Sequence, residues 1–190
     1  MNHIVPEASV ADGSWLNGIT AGDDQFYGNN YGDFILAGTG NDSVYGNGGA
    51  DILSGDAGND MLSGDTGDDL LFGGFGKDIL KGGDGYDWFV FDTKAATSNV
   101  DKIQDFSTVF DMIAFDNAIY TKVGRDGALS SGAFWKSKSG KAHDKSDRII
   151  YETDTGKLFY DADGSGKGAA VQIASLSKKL ALSHKDFWVL

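Results

Sequence analysis

The sequence has no cysteine, so neither a disulfide nor a thiolate metal site is available to it. Proline occurs once, at Pro6. No apolar run is long enough to span a bilayer, and Met1 to Val10 lacks the apolar core of a conventional N-terminal signal peptide. Positive charge is scarce: 16 Lys and Arg stand against 28 Asp and Glu, a formal net charge of −12. Nucleic acid and anionic membrane would repel such a chain, whereas cations would be drawn to it. At 190 residues there is room for one domain or two small ones. What is plentiful is glycine, with 28 residues. Glycine-rich sequence with little proline is usually linker or low-complexity chain, and a repeat is the structured exception.

Aspartate recurs every nine residues, at Asp24, Asp33, Asp42, Asp51, Asp60, Asp69, Asp78 and Asp87. Two positions after each stands a large apolar residue: Phe26, Ile35, Val44, Leu53, Leu62, Leu71, Leu80 and Phe89. Two positions before, glycine fills every copy except Tyr31. Five positions before, it stands at Gly28, Gly46, Gly55, Gly64, Gly73 and Gly82, with Ile19 and Ala37 departing. A flexible linker would not hold an Asp-x-apolar register through so many copies.

The register implies a shape. In each x-apolar-x triplet only the middle side chain faces inward, as in a short strand. The six residues before it turn the chain, and glycine supplies the positive-φ geometry that other residues resist. Two nonapeptides then make one coil of eighteen residues, and each repeat pairs with the next but one, about 4.8 Å away. Asp24, Asp42, Asp60 and Asp78 stack along one edge, and Asp33, Asp51, Asp69 and Asp87 along the other. Such neighbours repel by roughly 0.8 kcal/mol per pair even when hydrated. With one inward apolar residue per repeat, the core is too thin to offset this. A hard divalent cation between successive turns resolves both problems. It would take the carboxylates and the turn carbonyls, those of Gly28, Gly46, Gly55, Gly64, Gly73 and Gly82 among them, as oxygen ligands. Oxygen-only coordination in flexible loops points to Ca²⁺, and four turns per edge predict on the order of six ions.

The pattern G-G-x-G-x-D-x-U-x over Ile19 to Val90 resembles the RTX (repeats-in-toxin), hemolysin-type calcium-binding repeat. The fold expected is all-β: a parallel β-roll, a two-sheet right-handed solenoid of eight nonapeptides over 19–91. Residues 1–18 form a tail or cap, and 92–190 a small, mainly-β capping domain. This last part is similar to the C-terminal domains of serralysin-type proteases and small secreted RTX proteins. The resemblance implies type I secretion read from a C-terminal signal, and a secreted, extracellular protein. Asp186-Phe187-Trp188-Val189-Leu190 looks like the end of such a signal, and equally reads as a final edge strand. Extracellular calcium modules work at roughly 0.1–1 mM, so the chain would fold only after export.

Short strands are expected at Trp88–Phe91, Asp101–Phe106, Asp111–Phe115, Val171–Leu176 and Phe187–Leu190, with a hairpin from Arg148 to Tyr160 and a helical turn over Ser177–His184. Asp161-Ala162-Asp163-Gly164-Ser165-Gly166 resembles the opening of an EF-hand loop, but Gln172 stands where a bidentate glutamate belongs. Asp161 and Asp163 are candidates for one extra calcium, with a plain polar turn as the other reading.

Nothing points to catalysis. There is no G-x-S-x-G, H-E-x-x-H or P-loop, and His3, His143 and His184 are scattered. Asp-Thr-Gly occurs at Asp65–Gly67 and Asp154–Gly156, but the first lies out of register with the ladder and the second in a hairpin turn. The residues flanking the inward positions of the even repeats (Phe34, Leu36, Leu70, Phe72 and Trp88 among them) make an outward face too apolar for a free surface. Either residues 92–190 fold back over it or a partner covers it. Two functions fit: a non-enzymatic extracellular interaction, adhesion or matrix factor, or a noncatalytic accessory module like those of alginate epimerases, binding polysaccharide or assisting folding.

Overall fold

The computed structural model describes residues 15–165 and 168–190. Of the tail expected over 1–18, residues 1–14 lie outside the described residues. From Trp15 onward the chain winds between two sheets, crossing from one to the other at each nonapeptide turn. The first sheet has strand order β1 (Trp15–Ala21), β3 (Phe34–Thr39), β5 (Ile52–Ser54), β7 (Leu70–Phe72), β9 (Trp88–Phe91), β11 (Met112–Phe115), β17 (Phe187–Val189), β12 (Gly127–Ala128). The second runs β13 (Phe134–Ser137), β14 (Ile149–Glu152), β15 (Lys157–Tyr160), β16 (Val171–Ser175), β10 (Asp101–Ile103), β8 (Ile79–Asp84), β6 (Met61–Thr66), β4 (Ser43–Tyr45), β2 (Gln25–Tyr27). Repeats pair in parallel with the next but one, as in Ile35↔Leu53↔Leu71 and Val44↔Leu62↔Leu80. This is the all-β roll that the nine-residue register implies.

The inward residues Phe26, Ile35, Val44, Leu53, Leu62, Leu71, Leu80 and Phe89 are all at most 1% exposed and form one core between the sheets. The turns are stacked as well as the strands. β3, β6 and β8 extend to six residues instead of the expected three, because turn residues pair across coils, as in Asp65↔Gly83 and Thr66↔Asp84. Every ninth residue from Gly38 to Gly83 has positive φ, and the three without glycine are Asn47, Asp56 and Asp65, at 63–70°. Asn and Asp are the side chains that tolerate this region best.

The C-terminal part does not fold back over the even-repeat face. Its strands join the same two sheets edge to edge: β11 on β9, then β17 on β11, and β10 on β8, then β16 on β10. Backbone hydrogen bonding to an open strand edge satisfies more polar groups than covering a sheet face would. Phe34, Leu36, Leu70, Phe72 and Trp88 stay half-buried on that face. Trp188 reaches Trp88 edge-on, with ring centroids 6.1 Å apart. β17 lies inside its sheet, between β11 and β12, and so is not an edge strand. The hairpin of β14 and β15 is antiparallel, with Ile149 opposite Tyr160. The helical turn falls later than the sequence suggests, as a 3-10 turn at His184–Asp186 closed by a Ser183–Asp186 capping box. Lys179, with φ of 60°, keeps the preceding stretch from winding into a helix.

Candidate metal centre

The ladder aspartates form the least ordinary part of the molecule, since all eight are at most 3% exposed. They are held by one repeated hydrogen bond. The backbone N–H of Asp24, Asp33, Asp42, Asp51, Asp60 and Asp69 donates to Oδ1 of the aspartate eighteen residues later, at 2.7–3.1 Å. The second oxygen has no such partner. Oδ2 of Asp42, Asp51, Asp60, Asp69, Asp78 and Asp87 is buried without any hydrogen bond. A buried anionic oxygen left unpaired is costly, and a cation is its natural complement.

Five of the six expected glycines stand beside these oxygens, and Gly28 stands beside Oδ2 of Asp33, which accepts from Asn29 N at 2.7 Å. A Cβ built on Gly28 would lie 2.6 Å from Oδ2 of Asp33 and 2.5 Å from the carbonyl oxygen of Gly46. At Gly46 the same two groups, from Asp51 and Gly64, lie at 2.2 and 2.9 Å; at Gly55, from Asp60 and Gly73, at 2.4 and 2.7 Å. At Gly64 they come from Asp69 and Gly82, at 2.0 and 2.8 Å. A carboxylate of one coil and a carbonyl of the next thus converge on a point that only glycine leaves open. Two hard oxygens drawn this close together suit calcium, and no nitrogen or sulfur atom is among the nearest neighbours of these four points.

Burial dominates the electrostatics. It raises the carboxyls of Asp51, Asp60 and Asp87 to about 7 and that of Asp69 to about 6, with backbone N–H groups opposing the rise and neighbouring carboxylates, in the ladder and beside it, adding to it. Burial also raises Asp42, Asp78 and Asp101. These folded values lie above the ordinary 3.8, so the groups favour the metal-free fold most below 3.8 and lose that contribution as pH rises through 6 to 7. In chelator, the far-UV β-signal should therefore be larger at pH ~4.5 than at pH ~8. In calcium the order reverses, because the ion must displace protons, and the calcium midpoint should rise as pH falls from ~8 to ~5. Identical midpoints at both pH values would mean that no protons are displaced.

Four residues that sequence reasoning left among ordinary strand and loop positions complete the end of the ladder. Asp101, 3% exposed, accepts from Asp78 N at 3.1 Å, and Asp111, 6% exposed, accepts from Asp87 N at 3.3 Å. Asn99 takes Gly76 N through Oδ1, and both oxygens of Asp105 take Gly82 N and Gly83 N. Their offsets of 22–24 residues instead of 18 hid them from the nine-residue count. Burial marks Asn99, Asp101 and Asp111, and exposed Asp105 is marked by its two backbone hydrogen bonds.

Elsewhere the sequence candidates separate. Asp161 is buried and accepts from Asp163 N at 3.1 Å, while Asp163 is exposed and takes Gly168 N at 2.9 Å. Gly166 of that loop lies outside the described residues, and the loop follows strand β15, with no flanking helix of the EF-hand kind among the described residues. His143 meets Asp144 and Asp147 within 4.8 Å, a cluster that the scattered histidines did not suggest. Its His143 and Asp144 are exposed, and Oδ2 of Asp147 already accepts from the N–H groups of His143 and Asp144. Asp65 of the first Asp-Thr-Gly sits in β6 and accepts from Ser63 Oγ; the second Asp-Thr-Gly is the hairpin turn after β14.

Among known proteins, the RTX calcium-binding nonapeptide repeat (4 copies) matches residues 27–62 and 54–89. Among solved structures, the AlgE6R3 subunit from the Azotobacter vinelandii mannuronan C5-epimerase is similar at 25% identity. The match covers 88% of this chain and 78% of that one, with a TM-score of 0.37. No curated protein matches in sequence. With the ladder, the oxygen cradles and the repeat match in place, residues 27–89 are an RTX-type calcium-binding repeat segment.

Proposed function

We propose that this is a calcium-gated extracellular protein, one that leaves the cell by type I secretion as a loose chain and folds on meeting calcium. It binds on the order of six ions. The observation that carries this reading is the run of six buried carboxylates from Asp42 to Asp87 with one unpaired oxygen each. Without metal they resist burial, and with metal they are its ligands, so binding and folding become one event. Once folded, it acts as a non-enzymatic interaction, adhesion or matrix factor. Its contact surface is the even-repeat face of Phe34, Leu36, Leu70, Phe72 and Trp88, which stays half-buried with no strand packed across it among the described residues. An extracellular polysaccharide or cell-surface component is the kind of partner it would meet, and the net charge of −12 requires calcium to bridge any acidic one. Asp161 and Asp163 remain a place for one further ion on their spacing alone.

Calcium titrated into metal-free protein, followed by far-UV circular dichroism with magnesium as control, tests the reading. A cooperative gain of β-signal centred at roughly 0.1–1 mM calcium, unmatched by magnesium, is expected. A spectrum already β-rich in chelator, or a midpoint below about 1 µM, would place folding inside the cell and sink the export-first account.

A further inference from the structure

The geometry points to two metal ligands outside the repeats: Asp101 and Asp111 each close a calcium site at the end of one aspartate ladder. This rests on the calcium reading above and says where the ions sit.

At Gly28, Gly46, Gly55 and Gly64 the cradle has both walls, the aspartate five residues on and the glycine carbonyl eighteen residues on. At Gly73 and Gly82 the first wall is present in the same place, with Oδ2 of Asp78 and Asp87 at 2.6 and 2.2 Å from a built Cβ. Those two oxygens are unpaired, on side chains 1% and 0% exposed. The second wall cannot come from a repeat, because the repeats have ended. Within them, an unpaired Oδ2 on one aspartate always accompanies a backbone N–H donated to Oδ1 of the next aspartate on the same edge. The steps from Asp78 to Asp101 and from Asp87 to Asp111 reproduce both halves of that signature, at 3.1 and 3.3 Å. Asp105, holding Gly82 N and Gly83 N, brings a third carboxylate to the second site.

At the opposite end the cradle glycine is missing, although Oδ2 of Asp42 is unpaired there too. The positions equivalent to the cradle glycines are Ile19 and Ala37, residues that carry the Cβ the glycines lack. The ions therefore number six, one per cradle glycine, but they are displaced toward the C-terminus relative to the gaps between the eight repeat aspartates. Two of the six bind the C-terminal part to the roll.

Native mass spectrometry of the calcium-loaded full chain counts the ions. Wild type should carry six, Asp101→Asn and Asp111→Asn one fewer each, and the double variant two fewer, since asparagine keeps the Oδ1 acceptor and removes the charge. Variants that keep all six overturn the inference while leaving the calcium-gated reading intact; a wild type that binds no calcium overturns that reading itself. Should the variants fail to fold, an anomalous difference map from calcium-loaded wild-type crystals decides the same point. Peaks within ~2.6 Å of the Asp101 and Asp111 carboxylates are expected. Peaks confined to the gaps between Asp24 and Asp87 would refute it.

Discussion

Asp69→Ala should raise the calcium midpoint of folding at least about tenfold, equivalent to some 1.4 kcal/mol, and lower the number of ions bound. Asp69 sits mid-ladder and serves two coils at once. Its Oδ1 accepts from Asp51 N at 2.8 Å, and its unpaired Oδ2 faces the cradle at Gly64. Alanine removes a ligand and also strands the buried N–H of Asp51, at a cost of about 1–3 kcal/mol. Asp69→Asn separates the two effects, because it restores the acceptor without the charge and should recover only the second. Asp154→Ala removes the same charge from an exposed hairpin turn and should leave the midpoint where it is. If Asp154→Ala and Asp69→Ala shifted the midpoint equally, bulk charge and not ligation would govern folding.

Gly67→Ala should be more severe, with no native β-signal even at ~10 mM calcium, well above the range of extracellular modules. Gly67 has φ of 129°, and a Cβ there would stand 1.6 Å from the carbonyl oxygen of Gly49. That oxygen is backbone in the adjacent coil, and it cannot swing aside as a side chain would. Relief means separating two coils that are hydrogen-bonded along their turns, as at Gly49 N to Thr66 O, 3.0 Å. Losses above about 4 kcal/mol come from this kind of clash, and so small a core has little stability in reserve. Gly124→Ala is the control: φ is positive there too, at 132°, but no atom lies within 4 Å of the added methyl. A Gly67→Ala protein that folded at the wild-type midpoint would show that the coils are not packed this closely.

The roll was legible in the sequence because every constraint recurs with one period. Asp, glycine and inward apolar residue each repeat at nine, and a twofold count gives the pairing of β2 with β4 and β3 with β5. The C-terminal half has no period to read. Strands rich in β-branched and aromatic residues, such as Ile149–Glu152 and Val171–Ser175, could still be found, whereas β12 is only two residues long and Phe134–Ser137 carries a mixed pattern. Where these strands go was not legible at all. β16 joins β10 across more than 70 residues, pairing Asp101 with Ala174, and no local pattern encodes that. Asp101 and Asp111 read as strand-flanking polar residues, since a short-range pattern cannot say that a position is buried beside another carboxylate.

The ladder's hydrogen bonds all run one way. Each aspartate N–H donates to the carboxylate that comes later in the chain, from Asp24 to Asp42 through to Asp78 and Asp87, which look to Asp101 and Asp111. The stack therefore has a polarity. Trimming coils from the start leaves every remaining N–H with its acceptor, whereas trimming from the end orphans the last one each time. A chain emerging start-first, from a ribosome or through a pore, always carries an unmatched donor on its latest coil, until Asp101 and Asp111 have come through.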